Sequence, residues 1–205
     1  MRAWLVLVGA YAIGSIPFAW LVVRRFADID LRRTGSGNIG AANAFRSTTP
    51  AIGILVALLD GSKGAGAVLL ARYAGLDELE TTAALLAVVG HVAPVWLRFR
   101  GGKGVATAGG ALAVLSPPIF SIAFAIFIVS VWRSRYVSAG SIAAACAMMP
   151  AALWRFPLPA AIPLLLAGAL IVLRHRDNIA RLRAGTERRL TWGRRSPRPA
   201  TRADG

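Results

Sequence analysis

Two histidines and one cysteine are the whole supply of soft metal ligands in these 205 residues. With Cys146 alone, an intramolecular disulfide is excluded, and a Cys/His metal cluster is hardly possible. Acidic side chains are also scarce, nine against 24 lysines and arginines, and of those cations only Lys63 and Lys103 are lysines. Charged residues make up 16% of the chain and hydrophobic residues 56%, whereas soluble domains carry roughly a quarter charged residues. An ordinary soluble enzyme is thereby excluded, and so is a disordered chain, which needs low hydrophobicity. A net charge of +15 would suit a nucleic-acid binder, but not together with a mean hydropathy of +0.59. The expected partner is the lipid bilayer, and no nucleic acid.

A membrane-spanning helix needs about 20 mostly apolar residues. Five runs qualify: Ala3–Val23, Ala51–Tyr73, Leu79–Leu97, Val137–Leu153 and Leu158–Leu173. The first continues through Gly14, Ser15 and Pro17 without a clear small-residue cleavage site, so it reads as a retained span. The stretch Gly104–Trp132 is broken by Ser116-Pro117-Pro118. As one helix it would be about 43 Å long against a core of about 30 Å. Two prolines remove backbone donors and disfavour helix before them, so two short helices joined at Ser116–Pro118 are predicted.

Charge supports that count. With seven spans, Arg24–Pro50, Arg98–Lys103, Arg133–Arg135 and everything from Arg174 onward share one side and hold 20 of the 24 cations. Positive loops stay cytoplasmic. The prediction is an all-α integral membrane protein of seven transmembrane helices, amino terminus periplasmic and carboxy terminus cytoplasmic. Residues 1–190 form one domain. Residues 191–205, rich in arginine and proline, read as a disordered basic tail held against anionic headgroups.

Three polar, glycine-rich segments fall at the cytoplasmic ends: GSGNIGAANAFR (Gly35–Arg46), GHVAPVWLRFRGGKGVAT (Gly90–Thr107) and HRDNIARLRAGTE (His175–Glu187). Glycines let backbone approach a ligand closely and aim successive N–H groups at phosphate oxygens. Gly35, Gly37 and Gly40 match G-x-G-x-x-G in spacing, but no strand precedes them. Gly101-Gly102-Lys103-Gly104 is not a Walker A loop, because Leu97 and Gly104 replace its first glycine and its Ser/Thr. What remains is anion binding by Lys103, Arg46, Arg100 and backbone N–H groups. Gly64, Gly66, Gly109 and Gly110 read as helix-packing positions. Lys63 lies inside a span one turn after Asp60, and an ionisable residue there needs a partner. His91, near a span end, is read as readily for packing as for function, and Ser36, Asn38 and Asn43 as caps or as site residues.

Together the three segments resemble the bacterial acyl-phosphate:glycerol-3-phosphate acyltransferase family, PlsY. Its patterns are GSGN-x-GATN-x-x-R, GH-x-x-P…F-x-GGKGVAT and HR-x-NI-x-RL-x-x-G-x-E, and the resemblance runs from about Gly14 to Glu187. Ala42 departs from it, standing where the family usually has threonine. The resemblance implies transfer of a fatty acyl group from acyl phosphate to the sn-1 hydroxyl of glycerol 3-phosphate. The products would be lysophosphatidic acid and phosphate, the first acylation step of phospholipid biosynthesis. It also implies a site at the cytoplasmic face of the bacterial inner membrane, with no cofactor, no metal and no acyl-enzyme. Transient contact with a soluble acyl-phosphate synthase is left open.

On that resemblance the catalytic candidates are Ser36, Lys103, His175, Asn178 and Glu187. Substrate and phosphate binding falls to Gly35, Gly37, Asn38, Gly40, Asn43, Arg46, Gly101, Gly102, Gly104, Thr107 and Arg176. Support is expected from Asp60, Lys63, His91, Arg100 and Ser141. The general base is open among His175, Glu187 and a substrate phosphate oxygen. The competing class is a transporter for a small organic phosphate, built from broken helices with buried cations. Against it, the polar residues gather at one face and the halves show no inverted repeat.

Overall fold

The computed structural model describes residues 1–190, so the predicted basic tail lies outside the described residues. Ten α-helices were found among them: α1 (Arg2–Ser15), α2 (Phe18–Ala27), α3 (Ala41–Ser47), α4 (Pro50–Tyr73), α5 (Glu80–Val92), α6 (Val105–Leu115), α7 (Pro117–Ser134), α8 (Val137–Arg155), α9 (Leu158–Arg174) and α10 (Arg176–Arg183). Single 3-10 turns cover Asp77–Leu79 and Val95–Leu97. Five segments are long and apolar enough to cross a membrane, and a sixth if α9 and α10, bent by 51°, count as one.

Two helix breaks fall at prolines, whereas Pro150 and Pro163 lie inside α8 and α9. The first apolar run is two helices, because Ile16, the residue before Pro17, is extended (φ −60°, ψ 119°). Proline disfavours helix at the residue it follows, and the freed carbonyl of Ile16 accepts from Lys63 Nζ at 3.0 Å. Ser116 separates α6 from α7, with Pro117 at the first position of α7, where its missing N–H costs no intrahelical bond. The predicted break at Ser116–Pro118 is therefore present. However, α6 has 11 residues, about 16 Å at 1.5 Å per residue, too short to span the core alone.

Lipid is as apolar as leucine, so membrane helices associate through small residues that bring backbones close. A side chain at Gly64 would run into the Thr107 carbonyl, and one at Gly110 into the Gly61 backbone, which locks α4 to α6. Gly14 and Gly90 do the same between α1 and α5. The packing expectation fails for Gly66, which faces open space, and Gly109 meets only the Phe120 ring at ordinary contact. Large rings are left outside: Trp4, Tyr73 and Trp154 toward one end, Phe26, Trp96, Phe99 and Trp132 toward the other. Tryptophan and tyrosine are enriched at membrane–water interfaces, and Phe124, midway along α7, is exposed as well.

The basic segments meet at a single end. Gly102 lies against the Ile39 carbonyl, Lys103 bonds Asn178, and the Leu190 N–H donates to the Arg135 carbonyl at 2.7 Å. Toward the opposite end, Leu112 and Ile119, flanking the α6–α7 turn, pack with Phe156 from the α8–α9 turn.

Candidate active site

At the basic end a cavity of about 540 Å³ opens between α3, α4, α6, α7, α8 and the α9–α10 junction. Its polar lining includes Ser36, Asn38, Arg46, Lys103, His175, Asn178, Arg181, Glu187 and Arg188. Its wall continues over apolar residues, among them Leu58, Leu112, Phe120, Phe124, Phe127 and Met148. The rings of Phe120, Phe124 and Phe127 stack in sequence at 5.6 and 6.4 Å.

The loop 28–40 is shaped by Asn43. Nearly fully buried, it donates from Nδ2 to the Thr34 and Asn38 carbonyls at 3.0 Å and accepts the Ser36 N–H on Oδ1 at 3.1 Å. Gly35 sits at φ +65°, where an added Cβ would collide with Asn43 Oδ1. Asn43 therefore holds the loop and does not line the cavity. Arg46, one turn further along α3, does line it. Its Nε is buried with no hydrogen-bond partner among the described residues, and burial lowers its pKa. A guanidinium normally remains charged in proteins, so Arg46 brings a half-buried positive charge to the cavity wall.

The Gly101–Gly104 turn differs from the sequence expectation. The N–H groups of Gly101 and Gly102 donate to the Val92 and His91 carbonyls at 3.0 Å and are not free for phosphate. These glycines matter by close approach: a Cβ on Gly101 would meet the His91 carbonyl, and one on Gly102 the His91 ring. The turn is pinned on the end of α5, and Lys103 projects from it into the cavity. Burial is the main cause that lowers the Lys103 ammonium to about 8, with the Glu187 carboxylate opposing it.

The third segment supplies a hydrogen-bonded chain. Lys103 Nζ donates to Asn178 Oδ1, Asn178 Nδ2 donates to Glu187 Oε1 at 2.6 Å, and Ser138 Oγ donates to the same oxygen at 2.9 Å. Arg181 Nε donates to Glu187 Oε2 at 2.7 Å. Burial alone would raise the Glu187 pKa, but bonds from Asn178, Arg181 and Ser138 hold it below the usual carboxylate range. His175 bonds the Ile171 carbonyl through Nδ1 at 2.8 Å, which places the proton on Nδ1 and the lone pair on Nε2. Burial, then the Lys103 charge, pushes its pKa down to about 4, so it is neutral at pH 7.

Behind this wall, Lys63 lies 2.8 Å from Asp60 Oδ1 and 3.0 Å from His91 Nδ1, all three side chains being buried. The partner expected for Lys63 is thus present, with His91 added. Asp60 and His91 reach the cavity lining and Lys63 does not. Ser141 lines the cavity, its hydroxyl donating back to the Val137 carbonyl at 2.9 Å. Gly40 and Gly104 also line it; Gly35, Gly37, Gly101, Gly102 and Thr107 do not. Thr107 is fully buried where α6 meets Gly64 of α4.

Two candidates stand elsewhere. Arg176 is exposed, with its Nε 3.6 Å from Asp177, and Arg100 faces a separate surface pocket. Sequence reasoning passed over Arg181, Arg188 and Ser138. Helix phase would have found Arg181: it stands three residues after Asn178 on α10, hence on the same face, whereas Arg176 stands two before it, on the other. Among the described residues no group of three or more His, Cys, Asp or Glu side chains is placed to hold a metal. The assembled chemistry is a set of cations at one end of a cavity and an apolar wall at the other, suited to a phosphate joined to a long apolar chain.

The sequence model of the glycerol-3-phosphate acyltransferase family matches residues 4–185. A glycerol-3-phosphate acyltransferase 1 of Deinococcus radiodurans is 45% identical over 194 residues, 93% of this chain and 96% of that protein. A glycerol-3-phosphate acyltransferase 2 of Moorella thermoacetica is 46% identical over 91% of this chain and 96% of its own length. Crystal structures of PlsY (YgiH), an integral membrane glycerol 3-phosphate acyltransferase, superpose with similar topology. Its glycerol 3-phosphate form gives a TM-score of 0.87 at 36% identity, covering 92% of this chain and 96% of that one. Its lysophosphatidic acid form gives 0.85 at 34% identity, covering 92% and 95%.

Proposed function

The chain belongs to the glycerol-3-phosphate acyltransferase family of integral membrane proteins, and we propose that its donor is an acyl phosphate. Its products are then 1-acylglycerol 3-phosphate, lysophosphatidic acid, and inorganic phosphate. The observation that carries this reading is the single cavity in which Arg46, Lys103, Arg181 and Arg188 stand at the polar end of an apolar wall. Both substrates present phosphate, and one presents an acyl chain.

Arg46 pairs the phosphate of glycerol 3-phosphate, with Ser36 and Asn38 orienting its glycerol. Lys103, oriented by Asn178, holds the phosphoryl group of the donor and neutralises charge as it departs. The acyl chain lies along Phe120, Phe124 and Phe127. The glycerol 1-hydroxyl oxygen attacks the acyl carbonyl carbon, the carbonyl-to-phosphate C–O bond breaks, and phosphate leaves. Glu187, saturated by three donors, is a poor acceptor for the hydroxyl proton and acts by positioning Asn178 and Arg181. A phosphate dianion, with a second pKa of about 6 in phosphoesters, is more basic than His175 at about 4. The proton therefore goes to a phosphate oxygen, and His175 Nε2 orients the hydroxyl. Because the mixed anhydride already carries a good leaving group, no acyl-enzyme is needed.

Seven spans and a cytoplasmic site are part of the same reading. α1 with α2, α4, α5 with its following turn, α6, α7, α8 and α9 make seven passes. In that count α6 is a short pass, completed by the pinned loop at its amino end. The Leu112, Ile119 and Phe156 cluster sets the α6–α7 turn toward the end shared with the α8–α9 turn. The basic end, by the bias of Lys and Arg toward the cytoplasm, faces inward in a bacterial inner membrane. Purified protein in neutral detergent tests the donor. Lysophosphatidic acid formed from palmitoyl phosphate and glycerol 3-phosphate, but not from palmitoyl-CoA, is expected. Product from palmitoyl-CoA alone would overturn the donor and leave the family intact.

A further inference from the structure

A second hollow opens at the basic end and shares no lining residue with the catalytic cavity. It measures about 560 Å³ and is bounded by Arg32, Trp96, Leu97, Arg98 and Arg100. Three guanidiniums face it, and one carboxylate is close: Asp30, bound by Arg32 through Nε–Oδ1 at 2.9 Å and Nη2–Oδ2 at 2.6 Å. Arg98 and Arg100 make no ion pair among the described residues. The hollow thus keeps two cations with no counterion built for them.

Its backbone is held in an uncommon shape. Arg98 and Phe99 are consecutive non-glycine residues at φ 52° and 61°, and such conformations persist only where the surroundings enforce them. Here the Phe99 N–H donates to the Pro94 carbonyl at 3.0 Å and the Arg100 N–H to the Leu97 carbonyl at 3.1 Å. Arg32 is preset too, by Asp30 and by lying 5.9 Å from the centre of the Trp20 ring.

We propose that this hollow binds the phosphodiester headgroup of an anionic phospholipid, as a site separate from the catalytic cavity. Lipid is favoured over a soluble anion by its surroundings. Leu97 is the last residue of a span, and the Trp96 ring beside the arginines is 66% exposed, as suits an indole at headgroup depth. A phosphate among the guanidiniums leaves its glycerol and chains to run along Trp96 into the bilayer. The same loop continues within three residues to Lys103, so a lipid bound here braces the turn that carries the catalytic cation.

The full-length protein, stripped of lipid in neutral detergent, is offered equimolar phosphatidylglycerol and phosphatidylcholine, and retained lipid is read by native mass spectrometry. Wild type is expected to keep phosphatidylglycerol at least fivefold over phosphatidylcholine. R98Q/R100Q brings the ratio close to one, whereas R24Q/R25Q, removing two exposed cations of the same end, leaves it. An unchanged ratio in R98Q/R100Q overturns the site and leaves the hollow to an acidic protein surface, such as that of a soluble synthase. Equal loss in R24Q/R25Q overturns it in favour of general charge attraction. Displacement of phosphatidylglycerol by millimolar inorganic phosphate overturns the lipid assignment. If the double variant is not monodisperse, R100Q alone carries the test, with a partial fall in the ratio.

Discussion

At the scale of single residues, the account rests on Lys103. Its ammonium, at about 8, is charged below that pH and lost above it, so phosphate binding weakens as pH rises. In the free enzyme, kcat/KM is expected to fall toward tenfold per unit above about pH 8. Lys103→Arg should abolish that fall over the same range, because arginine stays charged. Lys103→Ala should cost about 100- to 1,000-fold in kcat, the usual scale for losing one preorganised charge stabiliser. A flat profile in the wild type would remove Lys103 from the chemistry. The Asp60, Lys63 and His91 cluster makes a different prediction. Lys63→Met leaves Asp60 buried without its ammonium partner, at a cost of about 3–5 kcal/mol. Asp60→Asn together with Lys63→Met should recover much of that loss, read as thermal unfolding in detergent. The cluster backs the ring against which Gly102 lies, so its loss should also weaken turnover. Placement was legible where a motif names a cation, as for Arg46 and Lys103, which both line the cavity. Roles decided by geometry were not: Asn43 looks like a substrate ligand in sequence and is a loop brace in space.

At the scale of elements, the break at Ser116–Pro118 was read from its two prolines, whereas the break at Pro17 was passed over within one continuous apolar run. Pro17 and Pro117 stand at helix ends, while Pro150 and Pro163 lie inside α8 and α9, so proline alone does not decide where a helix stops. The Gly101–Gly102 amides were misread because their acceptors, the Val92 and His91 carbonyls, lie across a turn that periodicity does not reveal. Helix contacts also separate glycines that look alike in sequence. Gly64→Leu drives a side chain into the Thr107 carbonyl and should lower the unfolding temperature sharply, if the protein accumulates at all. Gly66→Ala faces open space and should be neutral or stabilising by about 0.5–1 kcal/mol, from helix propensity. Equal effects of the two would contradict the close α4–α6 packing.

For the whole molecule, composition sufficed for the membrane class, and the charge pattern for which segments come together. Among the described residues, the four basic segments, remote in sequence, do meet at one end, where the three glycine-rich motifs build one cavity. The shortness of α6 was legible from the break at Ser116–Pro118, whereas the loop pinned at its amino end was not, since an apolar run reports hydropathy and not where a turn is held. Sidedness can be read with one cysteine at a time in a Cys146→Ala background in intact cells. Arg135→Cys should resist a membrane-impermeant maleimide until the membrane is opened, and Arg155→Cys should react at once. The central claim is direct transfer from an acyl phosphate, and phosphate release from palmitoyl phosphate by purified protein, with and without glycerol 3-phosphate, tests it most directly. The account predicts no release without the acceptor and one phosphate per lysophosphatidic acid with it. A burst of phosphate equal to the enzyme, before any acceptor is added, would contradict it.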